Sequence, residues 1–134
     1  MNMANVFPPY KLDIAGAFCV PSALQKAREQ YQKEQINRHT LKEIEDTEIR
    51  KLVDRLKASD MKVVSDGGFR SRDFLESWEG IRTKDNKLFT EGSALEITNR
   101  INLLQHPILE EFAFLVSVAG TDIMSKQHIP SPAE

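Results

Sequence analysis

Met61-Lys-Val-Val-Ser-Asp-Gly-Gly-Phe-Arg70 carries two local signals back to back. Met61 to Ser65 reads as a short apolar strand, and Asp66-Gly67-Gly68 stops it with turn chemistry. On the amino-terminal side of this strand lies a helix. Thr40-Leu-Lys-Glu43 reads as a capping box, in which the threonine oxygen caps the Glu43 amide and the glutamate reaches back. The helix it opens runs to about Ala58, with Leu41, Ile44, Leu52, Val53 and Leu56 on one face. Asp46–Arg50 and Arg50–Asp54 are four apart on its charged surface. Arg50, Lys51, Arg55 and Lys57 are interleaved with acids and mark a solvated face.

Working outward, Pro21-Ser22 opens an earlier helix with Ser22 as the expected N-cap and Ala23, Leu24, Ala27 and Tyr31 as its apolar stripe. Lys11 to Val20 before it is a nearly continuous apolar run, the pattern of a strand covered on both faces in a parallel sheet. Gly16 interrupts the run and points to a bend or a close approach to the backbone. Residues 1–10 are expected to be a loose lead, leaving 11–134 as the folded segment. Downstream, a short helical segment is expected around Arg72–Trp78. Gly80 to Leu104, with Asp85-Asn86-Lys87 between two runs of β character, predicts a hairpin-like excursion. A helix over Ile108–Val118 follows Pro107, with Leu109, Phe112, Leu115 and Val116 on its apolar face. Lys126 to Ile129 reads as a third short strand. Strand, helices, strand, excursion, helix and strand make an α/β chain with crossover connections.

Composition narrows the function classes. The 134 residues suffice for one compact domain. Eighteen basic against twenty acidic residues give a net charge of −2, which argues against a general nucleic-acid binder. The hydrophobic share of 40% and charged share of 28% suit a globular chain rather than a disordered one. The first ten residues lack the basic and apolar regions of a secretory signal. No apolar run reaches the roughly 18 residues of a membrane span. Cys19 is the single cysteine, so an internal disulfide framework and a multi-cysteine zinc site are excluded, and the cytosol is the expected compartment.

The order of local motifs resembles the amino-terminal third of the cobalamin-independent methionine synthase superfamily, in its short bacterial single-barrel form. Members typically open with Asp-His-Val-Gly-Ser-Phe-Leu-Arg-Pro; the corresponding stretch here is Asp13-Ile-Ala-Gly16-Ala-Phe18-Cys-Val-Pro21. Ala27-Arg28-Glu29 and Leu41…Ile44-Glu45-Asp46…Ile49 match the next two helices. The family's Val-Val-Thr-Asp-Gly-Glu-Phe-Arg-Arg is here Val63-Val-Ser-Asp66-Gly67-Gly68-Phe69-Arg70-Ser71. His106-Pro107…Phe112…Phe114-Leu115 and Ile129-Pro-Ser-Pro132 complete the series.

The resemblance implies a (β/α)₈ barrel, a fold that typically needs about 250 residues. The expectation is therefore a partial barrel, about the first three β/α units with a hairpin-like excursion. The family reaction moves a methyl group from a folate to the homocysteine sulfur, which a zinc ion activates as the thiolate. The family's zinc ligands, a His-x-Cys pair, a Glu and a distant Cys, belong to the later part of the barrel. No zinc site and no cofactor are expected within this chain, where His39, His106 and His128 are dispersed.

By the same resemblance, Asp13, Gly16, Asp66, Gly67 and Arg70 are the candidate substrate-binding positions, and no catalytic residue is assigned. Two family substrate contacts are altered: a serine is Ala17 and a glutamate is Gly68. Losing a charge-assisted contact of that kind costs about 1.5–3 kcal/mol. The family's histidine and arginine in the opening motif are Ile14 and Val20. The framework is kept while the polar site is eroded.

Read from the residues alone, Asp66 is either a reactive group at a strand end or part of an ordinary turn. Arg70 either grips an anion or pairs with Asp66 or Asp73. Cys19 is expected as a buried small hydrophobe, and Trp78, Phe112 and Phe114 as core. The expected function is a methionine-synthase-like methyltransferase scaffold, inactive as an isolated chain. The alternatives are a non-catalytic oligomerising remnant and a small-ligand-binding protein. Expected partners are a second copy or a complementing barrel chain, with a small amino-acid ligand, no nucleic acid and no membrane.

Overall fold

The computed structural model describes residues 12–70, 78–84, 94–103 and 107–128. The chain divides into two compact units, one formed by residues 1–70 with 112–134 and the other by 71–111. Its elements are α1 (Ser22–Gln32), α2 (Arg38–Ala58), β1 (Val63–Val64), β2 (Trp78–Thr83), β3 (Leu95–Leu103), α3 (Pro107–Ala119) and β4 (Met124–Ser125). The class is mixed α/β, and the described residues form two two-stranded sheets with no closed barrel among them.

In the first unit α2 is the spine. Leu41, Ile49, Val53 and Leu56 are buried along it, and Leu24 and Ala27 of α1 and Leu115 and Ala119 of α3 join the same core. Each fully buried aliphatic side chain contributes roughly 1.5–3 kcal/mol over its exposed state. The expected end of α2 at Ala58 holds, but its start is three residues earlier than a Thr40 cap requires. Asn37 is the N-cap, and its Oδ1 accepts from the Thr40 amide at 2.9 Å and from the Thr40 hydroxyl at 3.1 Å. Thr40 is thus a helical residue whose amide is itself capped. α1 departs in the same way: the cap is Pro21, whose carbonyl accepts from Leu24 and Gln25, and Ser22 lies inside the helix.

Both helices end alike. The amide of Gln35 donates to the Gln30 carbonyl and that of Glu34 to Tyr31, with Glu34 at φ +57°. Met61 donates to Leu56 and Asp60 to Lys57, with Asp60 at φ +57°. These are Schellman closures, built here without glycine.

β1 pairs with β4 in parallel, Val63 opposite Met124 and Val64 opposite Ser125. α3 lies between them in sequence, as a crossover requires. The strand expected over 126–129 does not form at 126–128; it lies just before, at Met124–Ser125, where Ile123 packs against the core and the Lys126 amide donates to the Val64 carbonyl at 2.8 Å. Ile129 lies outside the described residues. Over 12–20 no strand forms. Gly16 at φ +79° breaks the run, Ile14 is buried, and Leu12 and Phe18 remain exposed. α3 spans the expected helix, but its buried stripe is rotated. Leu115 and Ala119 are buried and Phe114 and Val118 pack against the core, whereas Leu109, Phe112 and Val116 are exposed.

The second unit contains the expected excursion. β2 and β3 are antiparallel, with Arg82 opposite Glu96 and bonded to it at 3.0 and 3.1 Å. The register shifts between Glu79 and Ile81. Gly80, at φ +83°, sits at that bulge because a Cβ there would lie 2.6 Å from the Arg100 carbonyl oxygen. The turn expected at 85–87 and the helical segment expected at 72–77 lie outside the described residues, and Trp78 belongs to β2.

Candidate functional site at the end of the first strand

β1 delivers Ser65 and Asp66, both buried, to the start of a tight turn. The Asp66 Oδ1 accepts from the Gly68 amide at 3.0 Å, and its carbonyl accepts from Phe69 at 3.2 Å. Ser65 Oγ accepts from the Gly67 amide at 3.2 Å. The turn chemistry read from the sequence is therefore realised by the aspartate side chain itself. Gly67 and Gly68 follow one another at φ +70° and +72°. That left-handed region costs any other residue about 1–2 kcal/mol.

The segment Asp13–Val20 is tied to this turn. The Phe18 amide donates to the Gly67 carbonyl at 3.0 Å. A Cβ on Gly68 would meet the Ala17 Cβ at 2.9 Å. The two positions at which the resemblance places altered substrate contacts, Ala17 and Gly68, are thus direct neighbours. Asp13 is exposed and forms an ion pair with Lys126 at 2.9 Å; Lys126 also donates to the Ile14 carbonyl at 2.8 Å. The hydrogen bond from Lys126, together with one from the Ile14 amide, holds the Asp13 carboxyl below its usual range. Gly16 faces open space.

Asp73 lies outside the described residues, and among them Arg70 pairs with α2 and not with Asp66. Its Nη1 lies 2.5 Å from Asp46 Oδ1 and 3.6 Å from Glu45 Oε2, both on α2. Its guanidinium carbon lies 4.9 Å from the centre of the Phe114 ring of α3, a cation–π distance. The Arg70 side chain is 8% exposed and that of Glu45 1%. Asp46 therefore serves this buried pair rather than the surface pair with Arg50 expected from spacing. Arg50 instead lies over the same Phe114 ring at 5.0 Å. Arg28 Nη2 donates to the Phe69 carbonyl at 3.1 Å, fixing the far end of the turn.

Of the sequence-derived site residues, Gly16, Asp66 and Gly67 belong to the loop and turn joined by the Phe18–Gly67 bond. Asp13 turns toward Lys126, and Arg70 toward α2. Lys126, Glu45 and Arg28 carry contacts that sequence reasoning missed. Glu45 had a signal: it stands four residues from both Leu41 and Ile49, inside the apolar stripe, where a charge must be paired. Cys19 is exposed, not buried as expected. His106 lies outside the described residues, and His39 and His128 are exposed. Among the described residues no three His, Cys, Asp or Glu side chains converge in a way that could hold a metal ion, so these donors do not fit a zinc site. No helix of the described residues is long and apolar enough to cross a membrane.

No protein-family model matches the chain. Two curated Bacillus subtilis (strain 168) proteins are similar to it, both uncharacterized. YxjG is 32% identical over 93% of this chain and YxjH 27% over 92%. The chain spans only 36% of the length of each. A crystal structure from Listeria monocytogenes, whose protein carries a provisional name as a vitamin-B12-independent methionine synthase, superposes with a TM-score of 0.74. It is 34% identical over 93% of this chain, which covers 37% of its length. Motif order, the likeness in fold and these identities agree: the chain is similar to the amino-terminal part of the cobalamin-independent methionine synthase superfamily, in its short form.

Proposed function

We propose that this chain is a β/α portion of a methionine-synthase-like barrel, a methyltransferase scaffold that does not transfer a methyl group by itself. The observation that carries this reading is the strand end. The loop that holds Gly16 and Ala17 and the turn Asp66–Gly68 converge through the Phe18–Gly67 hydrogen bond, at the carboxyl end of a strand paired in parallel. Barrel enzymes place substrates at that end of their strands. Of the five candidate positions, Gly16, Asp66 and Gly67 then belong to the part of the pocket that would take a small amino acid such as homocysteine, while Asp13 and Arg70 support it from Lys126 and α2.

The chemistry of the proposed reaction needs more than these residues supply. A zinc ion would hold the substrate sulfur as a thiolate, and the donors described in this chain do not form a site for it. Ala17 presents no hydroxyl and Gly68 no carboxylate to a substrate ammonium group. Completion of the barrel by further polypeptide, from a complementing chain or a second copy, fits the exposed apolar residues Leu109, Phe112, Val116 and Met124. A two-stranded parallel sheet also leaves strand edges that recruit other strands. The proposed compartment is the cytosol, where the lone exposed Cys19 stays reduced.

The test is a methyl-transfer assay with L-homocysteine and a methyl folate on the purified chain, with zinc added. The expected result is no turnover by the chain alone. Turnover with zinc and no other polypeptide would overturn the proposal.

A further inference from the structure

Arg70 stands two residues after Gly68, yet its charge is spent behind the turn, not in front of it. Three elements meet on this one guanidinium: the turn that carries it, α2 through Asp46 and Glu45, and α3 through the Phe114 ring. With the side chain 8% exposed, little of it is open to a ligand. A planar guanidinium suits this place because it can face carboxylates along its edge and an aromatic ring across its plane. A lysine would present a point charge with no plane to stack.

We infer that Arg70 is a positioning residue, a buried latch through which the Glu45–Asp46 pair of α2 holds the Asp66–Gly68 turn in place, and not a direct ligand of the substrate. This rests on the strand end being the substrate end, as proposed above. The turn has apolar and hydrogen-bonded fixings besides this charged one. Its aspartate and serine caps are local; beyond itself it is tied by the Phe18–Gly67 and Arg28–Phe69 hydrogen bonds, by Phe69 buried in the core and by Gly67 packed against Leu52. Among the described residues only Arg70 ties it by charge to α2. Two consecutive glycines in the left-handed region leave the backbone free to relax once the far anchor is released. Loss of the latch is therefore read first at the turn and at the loop bonded to it.

The experiment is residue-resolved amide hydrogen exchange on the full chain, comparing the wild type with Arg70→Gln, Arg70→Lys and Asp46→Asn. Asp46→Asn keeps the shape of the anchor, removes its charge and lies on a different element from the turn. The expected result is exchange at least about tenfold faster at Gly68, Phe69 and Phe18 in Arg70→Gln and Asp46→Asn. Val53 and Leu115, in the helix interiors, should change less than about threefold. Arg70→Lys, which keeps the charge, should recover part of the protection at Phe69 and Phe18.

Acceleration spread evenly over the turn and the helices would reduce Arg70 to a general contributor to stability and overturn the inference. Unchanged exchange at the turn in Asp46→Asn would overturn it as well. A parallel titration of the wild type with L-homocysteine follows the Arg70 Nε resonance. A saturable shift there would put Arg70 on the ligand and refute the positioning role. The exchange pattern is read without any ligand, so the latch stands or falls on it whether or not the chain binds L-homocysteine, and the proposed function stands or falls on the methyl-transfer assay.

Discussion

Replacing Gly67 by alanine tests the turn at its tightest point. At φ +70° the new residue occupies the left-handed region, at a cost of about 1–2 kcal/mol. Its Cβ would lie 2.4 Å from Leu52 Cδ2, so that half-buried leucine must move. The displaced atom is the far end of a flexible side chain, which puts this cost near the low end for an overpacked site, about 1 kcal/mol. Reduced freedom of the unfolded chain offsets about 0.4–1 kcal/mol. The net loss is about 2 kcal/mol. Gly16→Ala is the matched control, because Gly16 has φ +79° but nothing within 4 Å of the added carbon. It carries the backbone strain alone and should cost about 1 kcal/mol. Urea unfolding followed by circular dichroism measures both, and at a slope of about 2 kcal/mol/M the Gly67→Ala midpoint falls by about 1 M. In a Leu52→Ala background the excess over Gly16→Ala should vanish, a coupling of about 1 kcal/mol. Equal losses for Gly67→Ala and Gly16→Ala in the wild-type background would refute the packing of the turn against α2.

Other expectations follow from the same contacts. Asn37→Ala should cost about 1 kcal/mol by removing the cap of α2, while Glu43→Ala changes stability by less than about 0.5 kcal/mol; the reverse order in urea midpoints would restore the Thr40 capping box. Glu34→Gly should stabilise the chain by up to about 1 kcal/mol, because a glycine accepts φ +57° without strain, and thermal unfolding at a fixed scan rate would detect it. Leu115→Ala should cost about 2–5 kcal/mol and Val116→Ala less than about 1 kcal/mol; comparable losses would contradict the orientation of α3. The Asp13 carboxyl is held low by Lys126 and the Ile14 amide, so its ion pair supports the fold above the ordinary carboxylate range and is lost as pH falls through the lowered folded value. Lys126→Met should bring the Asp13 midpoint in a carbon-13 NMR titration back toward its usual value, and salt should do so in part. An unmoved midpoint would remove Lys126 as the cause.

The helices were legible in the sequence because period and length agree. Leu41, Ile44, Leu52, Val53 and Leu56 recur at helical spacing, and all five are buried or packed against the core of a 21-residue helix, with Ile49 added to them by the structure. Helix starts were less legible, since Asn37 and Thr40 are both good caps and only the backbone decides between them. The hairpin was legible from its two β runs. The strand over 12–20 was misread because apolar composition cannot reveal whether a partner edge is present, and here the segment touches the turn through the single Phe18–Gly67 backbone bond. At the site, Asp66-Gly67-Gly68 announced a turn, and the motif order pointed to the right segment to join it. The partner of Arg70 was hidden by distance in the chain. Asp46 and Arg50, four apart, offered a nearer pairing than Asp46 and Arg70, and only packing of α2 against the turn reverses that preference.

Native mass spectrometry of the purified chain, with zinc in the buffer and removed before ionisation, tests the central claim most directly. A scaffold that needs further polypeptide to complete its barrel and metal centre should appear as assemblies larger than the 15.3 kDa chain, without one zinc held per copy. A homogeneous 15.3 kDa monomer carrying one zinc ion would contradict it.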